Sequence, residues 1–287
     1  MSTRTILDLS GDLLEALTET LAQGGERAAE LGRALDRLPV AAFAVGFGTP
    51  EHQVRDRSIF AGFLLAATRS SKVIIRADVA RQHPINLART VSTLSALHGK
   101  RIGLGASEGT EVHGWFAPPT PGARPSAAGY LRLVSALWDS WPLDAIAGDT
   151  EAGRYVDAHR IVRVSEPAYP GIGGPLTLPT DQTEKPPLVL LWEEGDRDDD
   201  GSGVDLLLTA SGSDVRSGAR IAYSAGDVGL VLGLSDLASL TTWTPSPQAG
   251  TAEVPTTIRA ALGLGRSGRV ARTEHAVFLD TGNAAQV

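Results

Sequence analysis

The sequence has no cysteine, a single methionine and no long apolar run. The lack of cysteine excludes disulfides, thiolate metal sites and a cysteine nucleophile. No run reaches the roughly 18 apolar residues of a membrane-spanning helix. The N-terminal segment MSTRTILDLSGDLLEAL carries charges inside its apolar pattern, unlike a secretory signal. We therefore expect a cytoplasmic protein that does not associate with a membrane.

Positive charge is also scarce. Lys and Arg number 26 against 33 Asp and Glu, which gives a formal net charge of −7 at pH 7. Nucleic-acid binding needs clustered cations that neutralise phosphates, so a nucleic-acid partner is not expected. Six acidic residues are concentrated between Glu193 and Asp200. That run lacks the regular acidic spacing of a calcium-binding loop.

The histidines show no metal-binding pattern. None of the six forms an HxxxH or HExxH pair, so no metal site is predicted. His98 falls at the C-terminal end of a predicted helix. We interpret it as a cation that complements the helix dipole.

What the sequence does contain is an alternation of strands and helices. The first 40 residues have helical spacing, with Ser10 as the N-cap and a break at Gly24 and Gly25. Short apolar runs then alternate with helical segments, the order of a parallel sheet with crossover helices. Strands are predicted at residues 39–45, 72–79, 101–105, 187–192, 204–208 and 228–232, and helices at 59–67, 84–97, 128–141 and 258–264.

Residues 1–287 are predicted to form one α/β domain, because the length is near the roughly 250 residues of a single barrel. Residues 142–186 are predicted to be an irregular insertion, and the tail after residue 280 to be frayed. Six predicted strands suggest a shortened barrel. The helix over residues 84–97 is expected to pack Leu87, Val91 and Leu94 on the sheet.

Candidate binding residues follow from the ends of the predicted strands. Ligands of parallel α/β folds bind at the carboxyl ends of the strands. Ala77 and Asp78 stand at one such end and Ser107 at the next. The run Gly103-Leu104-Gly105 lacks the third glycine of a dinucleotide fingerprint. Loop capping is the simpler interpretation of Asp78 and Ser107, and ligand binding is the alternative.

Several segments together resemble one protein family. They are HPINLARTVSTLSALHGKRIGLG at residues 83–105, LWDSWPLDA at 137–145, YVDAHRI at 155–161, GPLTLP at 174–179 and TIRAALGL at 257–264. Their sequence and order are similar to those of the bacterial luciferase-like flavin monooxygenase superfamily. Within it they resemble the nitrilotriacetate and dibenzothiophene-sulfone monooxygenase-like branch.

The resemblance implies a TIM-barrel-like parallel barrel, shortened or irregular in its C-terminal half. It implies an FMN-dependent monooxygenase that acts on a small organic substrate with oxygen and with reduced flavin from a separate flavin reductase. Ala77, Asp78 and Ser107 would be its cofactor contacts. A homo- or hetero-oligomer would be in keeping with the family.

Two departures from the family pattern support an alternative. The turn Glu193-Glu194-Gly195-Asp196 stands where the family has a Gly/Ser-rich phosphate-binding turn. The family's His-x-x-Arg-Tyr segment is absent, since residues 116–128 contain neither His nor Tyr. The alternative is a non-catalytic relative that serves as a partner subunit or binding module, and both hypotheses stay open at this point.

The acidic turn predicts weak FMN binding. Each carboxylate within about 6 Å of the phosphate opposes binding by about 1–3 kcal/mol. We expect a dissociation constant above about 10 μM, a value that corresponds to a binding free energy of about −7 kcal/mol. Replacing Glu193, Glu194 and Asp196 by Ser should tighten binding, as measured by quenching of FMN fluorescence. A triple variant that binds no more tightly than wild type would contradict the prediction.

Overall fold

A computed structural model describes residues 4–48, 56–107, 126–166, 169, 171–192, 203–216, 219–225, 228–232, 236–242 and 255–267. These residues form ten strands, namely β1 Arg4–Leu9, β2 Ala42–Val45, β3 Val73–Arg76, β4 Ile102–Ser107, β5 Ile146–Asp149, β6 Arg154–Val156, β7 Leu188–Trp192, β8 Leu206–Arg216, β9 Ala219–Ala225 and β10 Val228–Leu232. Their α-helices are α1 Gly11–Gln23, α2 Gly25–Arg37, α3 Arg57–Ala67, α4 Pro84–Leu97, α5 Ala127–Asp139, α6 Leu237–Thr242 and α7 Ile258–Leu262.

Eight of the described strands close into a barrel in the order β1-β10-β9-β8-β7-β4-β3-β2. Seven of them run parallel, and β9 is antiparallel to its neighbours β8 and β10. The predicted parallel barrel is confirmed, with β3, β4 and β7 side by side. An antiparallel connection needs only a few residues, whereas a parallel crossover needs a dozen or more. The antiparallel β9 therefore accounts for the shortened C-terminal half.

Strand β1 shows that the helical prediction for the first residues is wrong. Arg4–Leu9 pairs in parallel with both β10 and β2. Leu7 and Leu9 belong to the apolar layer beneath the helices, and Ile6 belongs to the barrel interior. A strand buried on both faces is a continuous apolar run, which periodicity alone does not distinguish from a buried helix. The helical prediction is confirmed from Gly11 onward.

The N-terminal end of the barrel is closed by α7. Its residues Ile258 and Leu262 belong to the apolar cluster that fills the interior. The backbone N–H of Ile258 donates to the carbonyl oxygen of Lys100, just before β4, at 3.0 Å. The interior cluster consists of Ile6, Ala42, Ala44, Ile74, Val189, Leu191, Leu208, Val228, Leu230, Ile258 and Leu262.

A polar network joins the elements at this closed end. Lys185 Nζ contacts Asp139 Oδ2 of α5 at 2.8 Å and Oδ1 at 3.0 Å. Arg259 Nη2 of α7 contacts Asp205 Oδ1 at 2.5 Å. Asp205 Oδ2 accepts a hydrogen bond from the backbone N–H of Leu188, the first residue of β7, at 2.8 Å. The network thus connects α5, α7 and the starts of β7 and β8.

The predicted irregular insertion contains some regular structure. Within residues 142–186, β5 and β6 pair as a two-stranded antiparallel sheet, flanked by single helical turns at 143–145 and 158–160. The predicted frayed tail after residue 280 lies outside the described residues. In the described part of the chain, no helix is long and apolar enough to cross a membrane.

Helix α4 packs on the sheet, but its buried stripe differs from the prediction. Leu87 and Val91 are buried as expected. Leu94 is only partly buried, and Ser95 is buried in its place. The buried face of α4 therefore continues from Val91 to Ser95, a spacing of four residues. This is one of the two spacings that keep side chains on one face of a helix.

Truncating Leu87 should destabilise the protein more than truncating Leu94. A buried leucine changed to alanine loses about 2–5 kcal/mol of unfolding free energy. Leu94→Ala serves as the matched control and should cost clearly less, because that side chain already contacts solvent. Urea unfolding of both variants measures the two losses. Equal losses would show that α4 packs on the sheet through Leu94 as well.

Candidate functional site

The three predicted site residues lie at neighbouring strand ends. Ala77 follows β3 directly, and its backbone N–H donates to the carbonyl oxygen of Gly105 in β4 at 2.7 Å. Asp78 comes next in the chain, and Ser107 is the last residue of β4. We call the C-terminal ends of the parallel strands the barrel mouth. The structure brings the three residues together there, and their contact with a cofactor stays a prediction.

The backbone groups of Asp78 cap its loop, and its carboxyl group is buried beside them. The carbonyl oxygen of Asp78 accepts from the backbone N–H groups of Arg81 and Gln82, and its own N–H donates to Gln82 Oε1. The side chain is 9% exposed, and its Oδ2 forms an ion pair with Arg81 Nε at 3.8 Å. This Oδ2 accepts no hydrogen bond from the described residues. A buried acceptor of this kind is costly and requires an explanation, such as a ligand.

A second buried carboxyl group at the mouth is Asp8, which the sequence analysis does not identify. Its Oδ1 accepts from the backbone N–H of Phe47 at 3.0 Å, and its Oδ2 from that of Gly48 at 2.9 Å. Burial raises the pKa of Asp8, while these hydrogen bonds, one with Ser10 and the charge of Arg57 oppose the increase. Asp8 therefore holds a proton more tightly than an exposed aspartate does.

Two arginines supply positive charge at the mouth. Arg57, the first residue of α3, is buried, and its Nη1 donates to the carbonyl oxygen of Arg76 at 3.3 Å. Gly46 has φ +81°, and a Cβ there would lie 2.1 Å from Arg57 Nε. Position 46 therefore requires glycine for both its conformation and its lack of a side chain. The charge of Arg57 opposes the increase in the pKa of Asp8, and Asp78 forms its ion pair with Arg81.

The ring of Phe47 reaches from the mouth into the barrel. Phe47 packs against the interior apolar cluster. A Cβ on Gly105 would lie 2.3 Å from Phe47 Cζ and 3.1 Å from Cε1. The ring can therefore stay in place only because position 105 is glycine. We call the space that Phe47 fills beside Gly105 the ring slot.

Comparison with known proteins supports the fold. No family model matches the chain, and no curated protein matches it. Among solved structures, the long-chain alkane monooxygenase LadA matches with a TM-score of 0.53 and 15% identity, over 74% of this chain and 57% of LadA. DmoA from Hyphomicrobium sulfonivorans matches with a TM-score of 0.50 and 15% identity, over 73% of this chain and 52% of DmoA. The chain has the fold of the luciferase-like monooxygenases. It spans a little more than half the length of these two proteins.

Two of the motifs that resemble the luciferase-like family have structural roles in this barrel. Trp138 Nε1 donates to the carbonyl oxygen of Ala88 at 3.0 Å, which fastens α5 to α4. Ser140 Oγ accepts from the backbone N–H of Leu176 at 2.8 Å. The WDSW segment thus anchors the GPLTLP segment, and neither contributes a described side chain to the mouth.

The structure describes three of the six histidines, His83, His98 and His159. Burial and then the charge of Arg101 lower the pKa of His98, which disfavours the cationic form of its ring. This corrects the interpretation of His98 as a cation. Burial also lowers the pKa of His83, at the N-terminus of α4, and His159 is exposed. The remaining three, His52, His113 and His275, lie outside the described residues.

Two predicted features of the luciferase-like site fall outside the described residues as well. They are the acidic run 193–200 and most of residues 116–128, where the family has its His-x-x-Arg-Tyr segment. In the part of the chain that is described, no group of three or more His, Asp or Glu side chains could hold a metal ion.

Replacing Asp8 should change how stability depends on pH. The folded-state pKa of Asp8 is raised above 3.8, so the unfolded chain loses this proton first as pH rises, and unfolding becomes easier. The Asp8→Asn variant has no such proton to lose, so its stability does not fall for this reason. The unfolding free energy of wild type should therefore fall relative to that of Asp8→Asn between pH 4 and the folded-state pKa, as measured by urea unfolding. A wild type that gains relative stability over this range would show that the ionised carboxylate is the favoured form.

Proposed function

We propose that the chain binds FMN at the barrel mouth and acts as a luciferase-like monooxygenase. It would use oxygen and reduced flavin from a separate reductase to oxidise a small organic molecule. The observation that carries the proposal is the buried Asp78 Oδ2, which has no hydrogen-bond donor among the described residues. It stands at the strand ends where α/β barrels bind their ligands. The likeness in fold to LadA, a long-chain alkane monooxygenase, supports the reaction class.

The described residues of the mouth fit a flavin. Flavin carries an N–H group and ribityl hydroxyls, which the carboxyl oxygen of Asp78 and the hydroxyl of Ser107 could bind. The side chain of Ala77 lies in the buried layer beneath the helices, so Ala77 could contact a ligand only through its backbone. Arg57 and Arg76 carry the positive charge that an anionic phosphate needs nearby.

When bound and reduced, the flavin supplies the electrons that activate oxygen. The chain itself binds and orients it and excludes water. The apolar cluster beneath the mouth gives the site a dry floor. Asp8 lies beside the mouth with a raised pKa, so its carboxyl group retains a proton to a higher pH than an exposed one. Asp78 would orient the ligand through its Oδ2, which accepts no hydrogen bond from the described residues.

The second candidate is a non-catalytic barrel that serves as a partner subunit or binding module. The observation that favours it is the Phe47 ring, which occupies space within the mouth. Such a barrel could form a homo- or hetero-oligomer without turning over a substrate.

Asp78→Ala should weaken FMN binding by about 10- to 100-fold, because a hydrogen bond to a charged group contributes about 1.5–3 kcal/mol. Asp181→Ala is the matched control. Asp181 pairs with Lys100 at the opposite end of the barrel, with Nζ and Oδ2 2.8 Å apart. Quenching of FMN fluorescence measures the dissociation constant of FMN for wild type and for both variants. An Asp78→Ala variant that binds as tightly as wild type would place the flavin elsewhere.

Oxygen reactivity separates the two candidate functions. Chemically reduced FMN is mixed with oxygen in the presence and absence of the protein, and its reoxidation is followed by absorbance. A monooxygenase should alter the rate, and Asp78→Ala should remove the effect. Flavin binding with an unchanged rate would favour the non-catalytic candidate. Absence of any flavin binding by wild type would contradict the monooxygenase proposal.

A further inference from the structure

Strand β4 leaves unusual room inside the barrel. Ile102, Leu104 and Ala106 belong to the layer beneath the helices, so Gly103 and Gly105 face the interior. Both glycines are closely approached by other parts of the chain. A Cβ on Gly103 would lie 3.1 Å from Pro187 Cγ and 3.3 Å from Ile258 Cδ1.

The two glycines differ in what fills the space beside them. At Gly103 the neighbours are Ile258 of α7 and Pro187 before β7, both part of the closed end of the barrel. At Gly105 the neighbour is the tip of the Phe47 ring, which comes from the segment after β2. The ring slot is therefore filled by a single half-buried side chain at the open end of the barrel.

Two hydrogen bonds hold the backbone of Phe47, and its ring is held by apolar packing. Asp8 Oδ1 binds the N–H of Phe47 and Asp8 Oδ2 that of Gly48. A rotation about the Cα–Cβ bond of Phe47 would move the ring while both hydrogen bonds persist. The contact surface of the ring is apolar, so another flat apolar ring can take its place at little cost.

We propose that the ring slot is a subsite for a planar aromatic ring, that Phe47 occupies it in the free protein, and that a ligand ring must displace Phe47 to enter. The benzenoid edge of a flavin is a planar aromatic group of this kind. If the ligand is a flavin, the inference rests on the proposed function. Phe47 is then a specificity-determining residue, because it sets how deep a ring can sit. Because Phe47 and the ligand ring compete for the slot, the apparent affinity is the intrinsic affinity multiplied by the fraction of time that the slot is open.

The test uses Phe47→Ala, the double variant Phe47→Ala/Gly105→Ala and the control Phe63→Ala. Phe63 lies on the outer face of α3 and is 43% exposed. The probe is lumiflavin, which has the flavin ring system without the phosphate, so the acidic turn has little influence. Phe47→Ala should bind it about tenfold more tightly, as expected if the slot is open about a tenth of the time. The Gly105→Ala methyl refills the slot and should cancel the gain, while Phe63→Ala should bind as wild type does.

The opposite result would overturn the proposal. Weaker lumiflavin binding by Phe47→Ala would show that Phe47 is a stacking platform for the ligand. A gain that persists in the double variant would show that the slot is not its source. If Phe47→Ala does not fold, Phe47→Leu replaces it, and a smaller gain in the same direction is expected.

Indole separates failure of this inference from failure of the flavin proposal. An apolar cavity opened by mutation binds small aromatic molecules and is stabilised by them. Indole should raise the Tm of Phe47→Ala, but not that of wild type or of the double variant. If indole raises the Tm of Phe47→Ala while neither wild type nor any variant binds FMN or lumiflavin, the ring slot is supported and the flavin function is contradicted. If indole leaves the Tm of Phe47→Ala unchanged, the slot is overturned whatever the flavins do.

Discussion

The buried ion pair between Lys185 and Asp139 is the contact on which the second half of the barrel depends. The two side chains are 5% and 4% exposed. Loss of one partner would leave a buried charge uncompensated, which typically costs about 3–5 kcal/mol. Lys185 lies just before β7, the strand that pairs with β4 on one side and with β8 on the other. The ion pair therefore fixes the junction between the parallel half of the barrel and the up-and-down strands β8, β9 and β10.

Local patterns in the sequence predict β3, β4 and β7, because each is a short apolar run that ends at a clear break. They do not predict β1, whose two buried faces remove the alternation that marks a strand. The residues of the candidate site also fall into those that local patterns predict and those that they do not. Asp78 and Ser107 follow from the rule that ligands bind at strand ends, whereas Arg57 and Phe47 reach the mouth only through closure of the barrel. The one local sign of Asp8 is a lone charge within the apolar run Ile6-Leu7-Asp8-Leu9.

The glycines of β4 also have a different role from the one their spacing suggests. Gly103-Leu104-Gly105 resembles part of a dinucleotide fingerprint, in which glycine lets a phosphate approach the backbone. In the structure both glycines face the interior and admit side chains instead, Ile258 at the closed end and Phe47 at the mouth. Glycine within a strand marks a close approach, and the sequence alone does not reveal which group makes it.

The two ends of the barrel differ in how their buried carboxyl groups are paired. At the closed end, Arg259 donates to Asp205 and to the carbonyl oxygens of Gly265 and Lys185. At the mouth, Asp8 is protonated more readily than an exposed aspartate, and Asp78 Oδ2 lacks a described donor. The described charged residues of the mouth all come from β1 to β4 and from the start of α3. The antiparallel β9 shortens the other half, so the barrel loses length there while the strand ends that carry these residues keep their parallel arrangement.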